Sequence, residues 1–222
     1  MKTLKKIEID DLVCMNDKED AYGFRIDLAY AKDNNLLFGE RIYRPEAELY
    51  LHKDLAEIVC RAASDCLKTH GLRFLLYDGL RTTDAQKRIM QTRRVQENPH
   101  WLQEPRLLSP PGTGGHPRGM AIDIGLETLD GVLLDMGTPF DYLAENSDEA
   151  HNPAHRNYAW HTHEILENRG KLDKSLLKSA ESLKRPLVLL PQEWWDFRLP
   201  AEIYNQYAPL SDTDLPPSMQ LI

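Results

Sequence analysis

Between Asn98 and Gly119 the chain carries five prolines and four glycines, with no apolar periodicity. Proline has no amide proton and fixes φ, and glycine pays the largest entropic penalty in a regular element. Neither a helix nor a strand can run through such a stretch, which marks either a functional loop or a disordered segment. Regular structure is therefore confined to its two sides. The segment ends in Gly115-His116-Pro117-Arg118-Gly119 and leads directly into the apolar run Met120-Ala121-Ile122.

Upstream, Pro45 and the EAELY segment open the clearest helical pattern. Leu51, Leu55, Ile58, Val59, Ala62 and Cys66 recur at helical spacing, and Gly71 supplies the stop. Leu72 to Tyr77 reads as a short apolar strand. Thr82 or Thr83 caps a polar helix reaching about Glu97, with Arg88, Arg93 and Arg94 on a solvated face. Downstream, Ala121 to Leu126 alternates as a half-buried strand should. Strand candidates surround Gly131 and continue through Val132-Leu133-Leu134, a helix spans about His161 to Leu183, and Leu187 to Leu190 is a further strand. The first forty residues read as loop and short strands, the tail from Pro200 as an irregular cover. Helices and strands are separated, not alternating as βαβ units, and no repeat or shift in composition marks a boundary. The prediction is an α+β fold. It is one domain over residues 1–222, with a small, mostly antiparallel sheet flanked by helices.

Charge and cysteine content exclude several functions. With 27 basic against 35 acidic side chains the net charge is −8, the wrong sign for a nucleic-acid binder. No stretch approaches the ~20 apolar residues of a membrane span. MKTLKKIEIDDLV turns acidic before any apolar core, which is not the pattern of a signal peptide. Cys14, Cys60 and Cys66 make neither a disulfide framework nor a CxxC pattern, so free thiols and a cytoplasmic location are expected.

Three segments carry candidate chemistry. His116 at the end of the loop and Asp123 on the following strand can converge on one metal ion, with Gly119 permitting the turn between them. Asp123 points away from Ile122 and Ile124, so it faces a cleft if they face the core. Glu193-Trp194-Trp195-Asp196 sets two carboxylates beside an aromatic wall. Glu193 and Asp196 would face opposite sides of an ideal strand, and share one site only if the chain bends there. Asp78-Gly79-Leu80-Arg81 ends a strand with a guanidinium able to stabilise an oxyanion.

Together these segments resemble the zinc D-alanyl-D-alanine dipeptidases of the vancomycin-resistance type, within the wider clan of D,D-carboxypeptidases. Tyr30-Ala31 with Asp33-Asn34 is similar to an early motif of that family. Asp78-Gly79-Leu80-Arg81 is similar to its Asp-Gly-Tyr-Arg, and His116-x-Arg118-Gly119-x-Ala121-Ile122-Asp123 to its first metal motif. Met136-Gly137-Thr138-Pro139-Phe140-Asp141, the Asn168-Arg169 helix and Glu193-Trp194-Trp195 follow in the family's order. The resemblance implies a metal cleft on the sheet and one Zn2+ per chain, held by His116 and Asp123. It implies Glu193 as general base, Arg81 as stabiliser of the tetrahedral intermediate, and Asp141 with Tyr30 at the amino group of a small dipeptide substrate.

Two positions depart from the family. Asp196 stands where the family has a third ligand histidine. A His-Asp-Asp set is compatible with a catalytic ion, and its harder ligands admit other divalent metals such as manganese. Two further alternatives are a third ligand from His161 or His163, and a non-catalytic relative that uses the cleft for binding. Gly114 stands where the family has a serine that helps hold the substrate carboxylate, which loosens the link to D-Ala-D-Ala and admits other dipeptides or muropeptide fragments.

Overall fold

The computed structural model describes residues 3–103 and 107–222. Its strands are β1 (Leu12–Cys14), β2 (Arg25–Ile26), β3 (Tyr50–His52), β4 (Leu72–Asp78), β5 (Ala121–Thr128), β6 (Val188–Leu189) and β7 (Asp196–Arg198). Its α-helices are α1 (Glu19–Tyr22), α2 (Lys53–His70), α3 (Thr83–Gln91), α4 (Arg93–Glu97), α5 (His163–Ser182) and α6 (Ala201–Tyr204). Among the described residues, five strands form one sheet in the order β2-β4-β5-β7-β6, in which only β2 and β4 run parallel. β1 and β3 form a separate antiparallel pair. The class is α+β, as the sequence implied.

The central strand β5 departs from the half-buried expectation, since Ala121 to Glu127 are all buried. The alternation itself is real. Ile122, Ile124 and Leu126 enter the main core with α2 and α5. Asp123 points the other way and lines a cavity roofed by loops, so its face is covered as well. Glu127, on that face, is buried because Arg25 and Arg73 both donate to its carboxylate.

α2 begins at Lys53, not near Pro45. Leu51 satisfies the helical stripe, but Tyr50–His52 pairs with Leu12–Cys14 as β3, and cross-strand pairing overrides local periodicity. The helix stops at Gly71 with φ 63°, as expected. The polar helix is capped by Thr82, whose hydroxyl accepts from the Ala85 N–H at 3.2 Å, but it breaks in two at Thr92. The Thr92 hydroxyl donates to the Ile89 carbonyl and accepts from the Val95 N–H, ending α3 and starting α4.

The strands expected around Gly131 reduce to one bridge between Glu127 and Leu133. The helix predicted over 161–183 is α5, and the 187–190 strand shortens to β6. The long loop contains 3-10 turns at Pro99–Leu102 and His116–Arg118, while residues 104–106 of it lie outside the described residues. Among the described residues no helix is long and apolar enough to cross a membrane.

Candidate active site

The sheet itself assembles the site. Asp123 on β5 is the register partner of Asp78 on β4 and of Asp196 on β7, so three aspartates stand in one rung across three strands. His116 is brought over this rung by a tight turn. Met120 N–H donates to the Gly115 carbonyl and Gly119 N–H to that of His116, with Gly119 at φ 62°. A Cβ at Gly119 would also lie 2.9 Å from the His52 nitrogen, so glycine is required twice over. The Arg118 guanidinium locks the turn by donating to the carbonyls of Tyr207, Gly112 and Gly114.

The bend that the Glu193 and Asp196 pair demands is present. Glu193 N–H donates to the Leu190 carbonyl at 3.4 Å and Asp196 N–H to that of Glu193 at 3.3 Å, a turn that feeds β7. The two tryptophans anchor it from below. Trp194 Nε1 donates to Thr138 Oγ1 at 2.8 Å, and Trp195 packs edge-on against Phe140.

Seven of the residues singled out from the sequence line one cavity of about 470 Å³: Tyr30, Arg81, His116, Asp123, Asp141, Glu193 and Asp196. His116 Nδ1 lies 2.8 Å from the Gly79 carbonyl, which can only accept, so this nitrogen carries a proton. Nε2 then faces Asp123 Oδ1 at 3.6 Å and Asp196 Oδ2 at 3.4 Å. Asp78, His116 and Asp123 also present ligand atoms within 4.8 Å of one another. Asp78, however, lies on the Nδ1 side, and it is already engaged by Tyr43 and Arg81. One ion cannot use both ring nitrogens, so Nε2, Asp123 and Asp196 form the better set.

The electrostatics fit a cation. Burial and Arg81 oppose charge on His116, but Asp123 and Asp196 outweigh them and push its pKa up to about 10. A metal ion would take the place of that proton. Asp123 is raised, first by burial and further by Asp196, against the pull of His116; its Oδ1 has no hydrogen-bond partner among the described residues. Asp196 is buried too, yet Arg198 and His116 hold it below the usual carboxylate range. Burial first, then the charges of Asp196 and Asp123, push Glu193 up to about 7.

In the same cavity, Tyr30 Oη donates to Asp141 Oδ1 at 3.1 Å, and the Arg81 guanidinium lies 5.0 Å from the centre of the Tyr30 ring. Asp141 adopts φ 61°, uncommon for a residue with a side chain and concentrated at functional positions. His161 and His163 are elsewhere. His161 Nε2 donates to the Pro153 carbonyl and His163 pairs with Glu167 on the exposed face of α5. Gly114 lines the cavity with no side chain to offer.

Two functional-looking residues escaped the sequence reading. In the sequence Asp78 stands out only as part of a motif, and Arg198 belongs to none of the candidate segments. The signal for Arg198 is its spacing: two residues after Asp196 on a strand, it shares the same face.

Residues 19–212 match the family Peptidase_M15, D-ala-D-ala dipeptidase. The chain is 31% identical to the D-alanyl-D-alanine dipeptidase of Escherichia coli (strain K12) over 175 residues, 79% of this chain and 78% of that one. It is 30% identical to the D-alanyl-D-alanine dipeptidase of Enterococcus faecium over 203 residues, 85% of this chain and 93% of that one. Among solved structures, the Serratia marcescens L-Ala D-Glu endopeptidase ChiX aligns with TM-score 0.36 and 12% identity over 69% of this chain and 84% of that one, too loosely to argue from. On the extent of the family match and of both relatives, the chain belongs to the D-ala-D-ala dipeptidase family of peptidases.

Proposed function

We propose that this protein is a metal-dependent dipeptidase that hydrolyses D-alanyl-D-alanine or a similarly small D-amino-acid dipeptide, with zinc as the first-choice ion. The observation that carries the reading is the convergence of His116 Nε2, Asp123 Oδ1 (without a hydrogen-bond partner among the described residues) and Asp196 beside Glu193 in one cavity. The donor set suits a divalent ion: one imidazole whose second nitrogen is held by a carbonyl, and two carboxylates. Bound there, the ion supplies Lewis acidity and lowers the pKa of a water toward ~7.

The chain's own residues do the rest. Glu193, poised near neutrality, takes the attacking water's proton and returns it to the leaving amine. Arg81, its Nε donating to Asp78 Oδ2 at 2.8 Å, is fixed in advance to stabilise the oxyanion as charge develops. Asp141, steadied by Tyr30, receives the substrate's free amino group. The three cysteines are free, which suits a reducing compartment and a cytoplasmic pool of substrate.

The test is release of D-alanine by chelator-stripped protein reloaded with Zn2+, Co2+ or Mn2+. Activity should require the ion, and Glu193→Gln should lower kcat by ~10²–10⁴ while the fold is retained. Release unaffected by that substitution, or none with any of the ions, overturns the reading. Because Gly114 offers no hydroxyl, the assay should include dipeptides other than D-Ala-D-Ala.

A further inference from the structure

The aspartate rung poses an electrostatic problem. Asp78, Asp123 and Asp196 are 0%, 2% and 1% exposed. Like charges facing one another across strands repel, and buried charges persist only when paired. Each outer aspartate has an arginine of its own. Arg81 serves Asp78, and Arg198 grips Asp196 with both arms, Nε to Oδ1 at 2.7 Å and Nη2 to Oδ2. The central Asp123 has no such partner: Arg81 Nη2 stands 3.6 Å from its Oδ2, and its Oδ1 is unpartnered among the described residues.

We infer that Arg198 is the resident counter-cation of the metal centre, holding Asp196 in the place of a neutral third ligand and sharing that carboxylate with a bound divalent ion. The inference rests on the metal reading proposed above. Asp196 alone would add a second negative charge to that of Asp123. With Arg198 beside it the pair adds none, as a neutral imidazole would. Among the described residues, all the hydrogen bonds of the Arg198 side chain go to Asp196. Arg198 also lines the cavity, beside the carboxylate that would hold the ion. Each carboxylate oxygen has two lone pairs, so one directed at Arg198 leaves another for a metal.

An arginine that merely orients a ligand and one that acts as counter-cation differ in the sign of their removal. Loss of an orienting partner loosens a metal by about 10–100-fold. Loss of a neighbouring positive charge tightens it, because like charges no longer repel in a poorly screened site.

The experiment titrates Zn2+ into metal-free protein against a chelating indicator, with Co2+ absorption reporting the ligand set. Arg198→Met should bind Zn2+ about tenfold or more tightly than wild type, and Arg198→Lys, which keeps the charge, should stay close to wild type. Weaker or unchanged binding by a folded Arg198→Met overturns the inference. Should that variant fail to fold in chelator, the neutral but polar Arg198→Gln decides: affinity should again rise about tenfold, and weaker or unchanged affinity refutes the assignment. Neither titration needs turnover. If no ion binds any of the proteins, this inference falls together with the metal reading; if ions bind but the variants do not respond as stated, it falls alone.

Discussion

Gly119 shows how far a single residue can be read. The turn it permits, from His116 back into β5, follows from the rule that a left-handed position favours glycine, and φ 62° agrees. What the sequence did not display is the second constraint, the approach of the His52 nitrogen to within 2.9 Å of where a Cβ would stand. Gly119→Ala should therefore cost more than the ~1–2 kcal/mol of a left-handed non-glycine residue, since β3 must also yield. Urea denaturation measures this, and a midpoint equal to wild type would refute it. Arg198 was illegible for a related reason. Its importance depends on the pairing of Asp123 with Asp196, and β7 is a three-residue strand whose partner no local pattern names.

At the scale of the element, α2 was legible at its end and not at its beginning. Gly71 announces the stop chemically, whereas the start is decided by β1, which draws Tyr50–His52 into a strand. The cap is correspondingly unusual: His52 Nδ1 accepts from the Asp54 N–H at 3.3 Å, and it can do so only when unprotonated. Burial lowers the His52 pKa, outweighing the nearby carboxylates of Asp54 and Asp11. The unfolded chain takes up this proton near pH ~6.5, whereas the folded protein resists it to lower pH. The unfolded state thus binds more protons as pH falls, and stability present above that range is lost on acidification. His52→Asn keeps an acceptor that cannot titrate. The stability difference between wild type and His52→Asn should shift against wild type between pH 7 and pH 5, by about 1 kcal/mol, the worth of a cap. A difference independent of pH would show that the imidazole does not serve as described.

Over the whole molecule, the segment least informative in sequence binds distant parts together. The tail was legible as an irregular cover, but what it covers depends on contacts far along the chain. Leu210 N–H donates to the Pro117 carbonyl inside the His116 turn, and the Leu210 carbonyl accepts from the Thr83 N–H at the start of α3. Asp84 accepts from Ser211 Oγ and from the Asp212 N–H, and Arg44 donates to the carbonyls of Pro217 and Ser218. Leu210, Leu215, Met219 and Leu221 are buried, with the first three in the main core and Leu221 in the cluster beneath Tyr30. At about 1.5–3 kcal/mol each, these four side chains are a large share of the ~5–15 kcal/mol that keeps a domain folded. Removing residues 209–222 should lower the melting temperature steeply and abolish Zn2+ uptake with it, because the His116 turn loses its outer support. Removing only 219–222 takes away Met219 and Leu221 but leaves Leu210 on Pro117. That shorter truncation should melt earlier than wild type while still binding Zn2+ with wild-type affinity in the cold. Loss of metal binding without loss of stability would mean that the last four residues reach the centre directly, contrary to the path through Leu210 and Pro117.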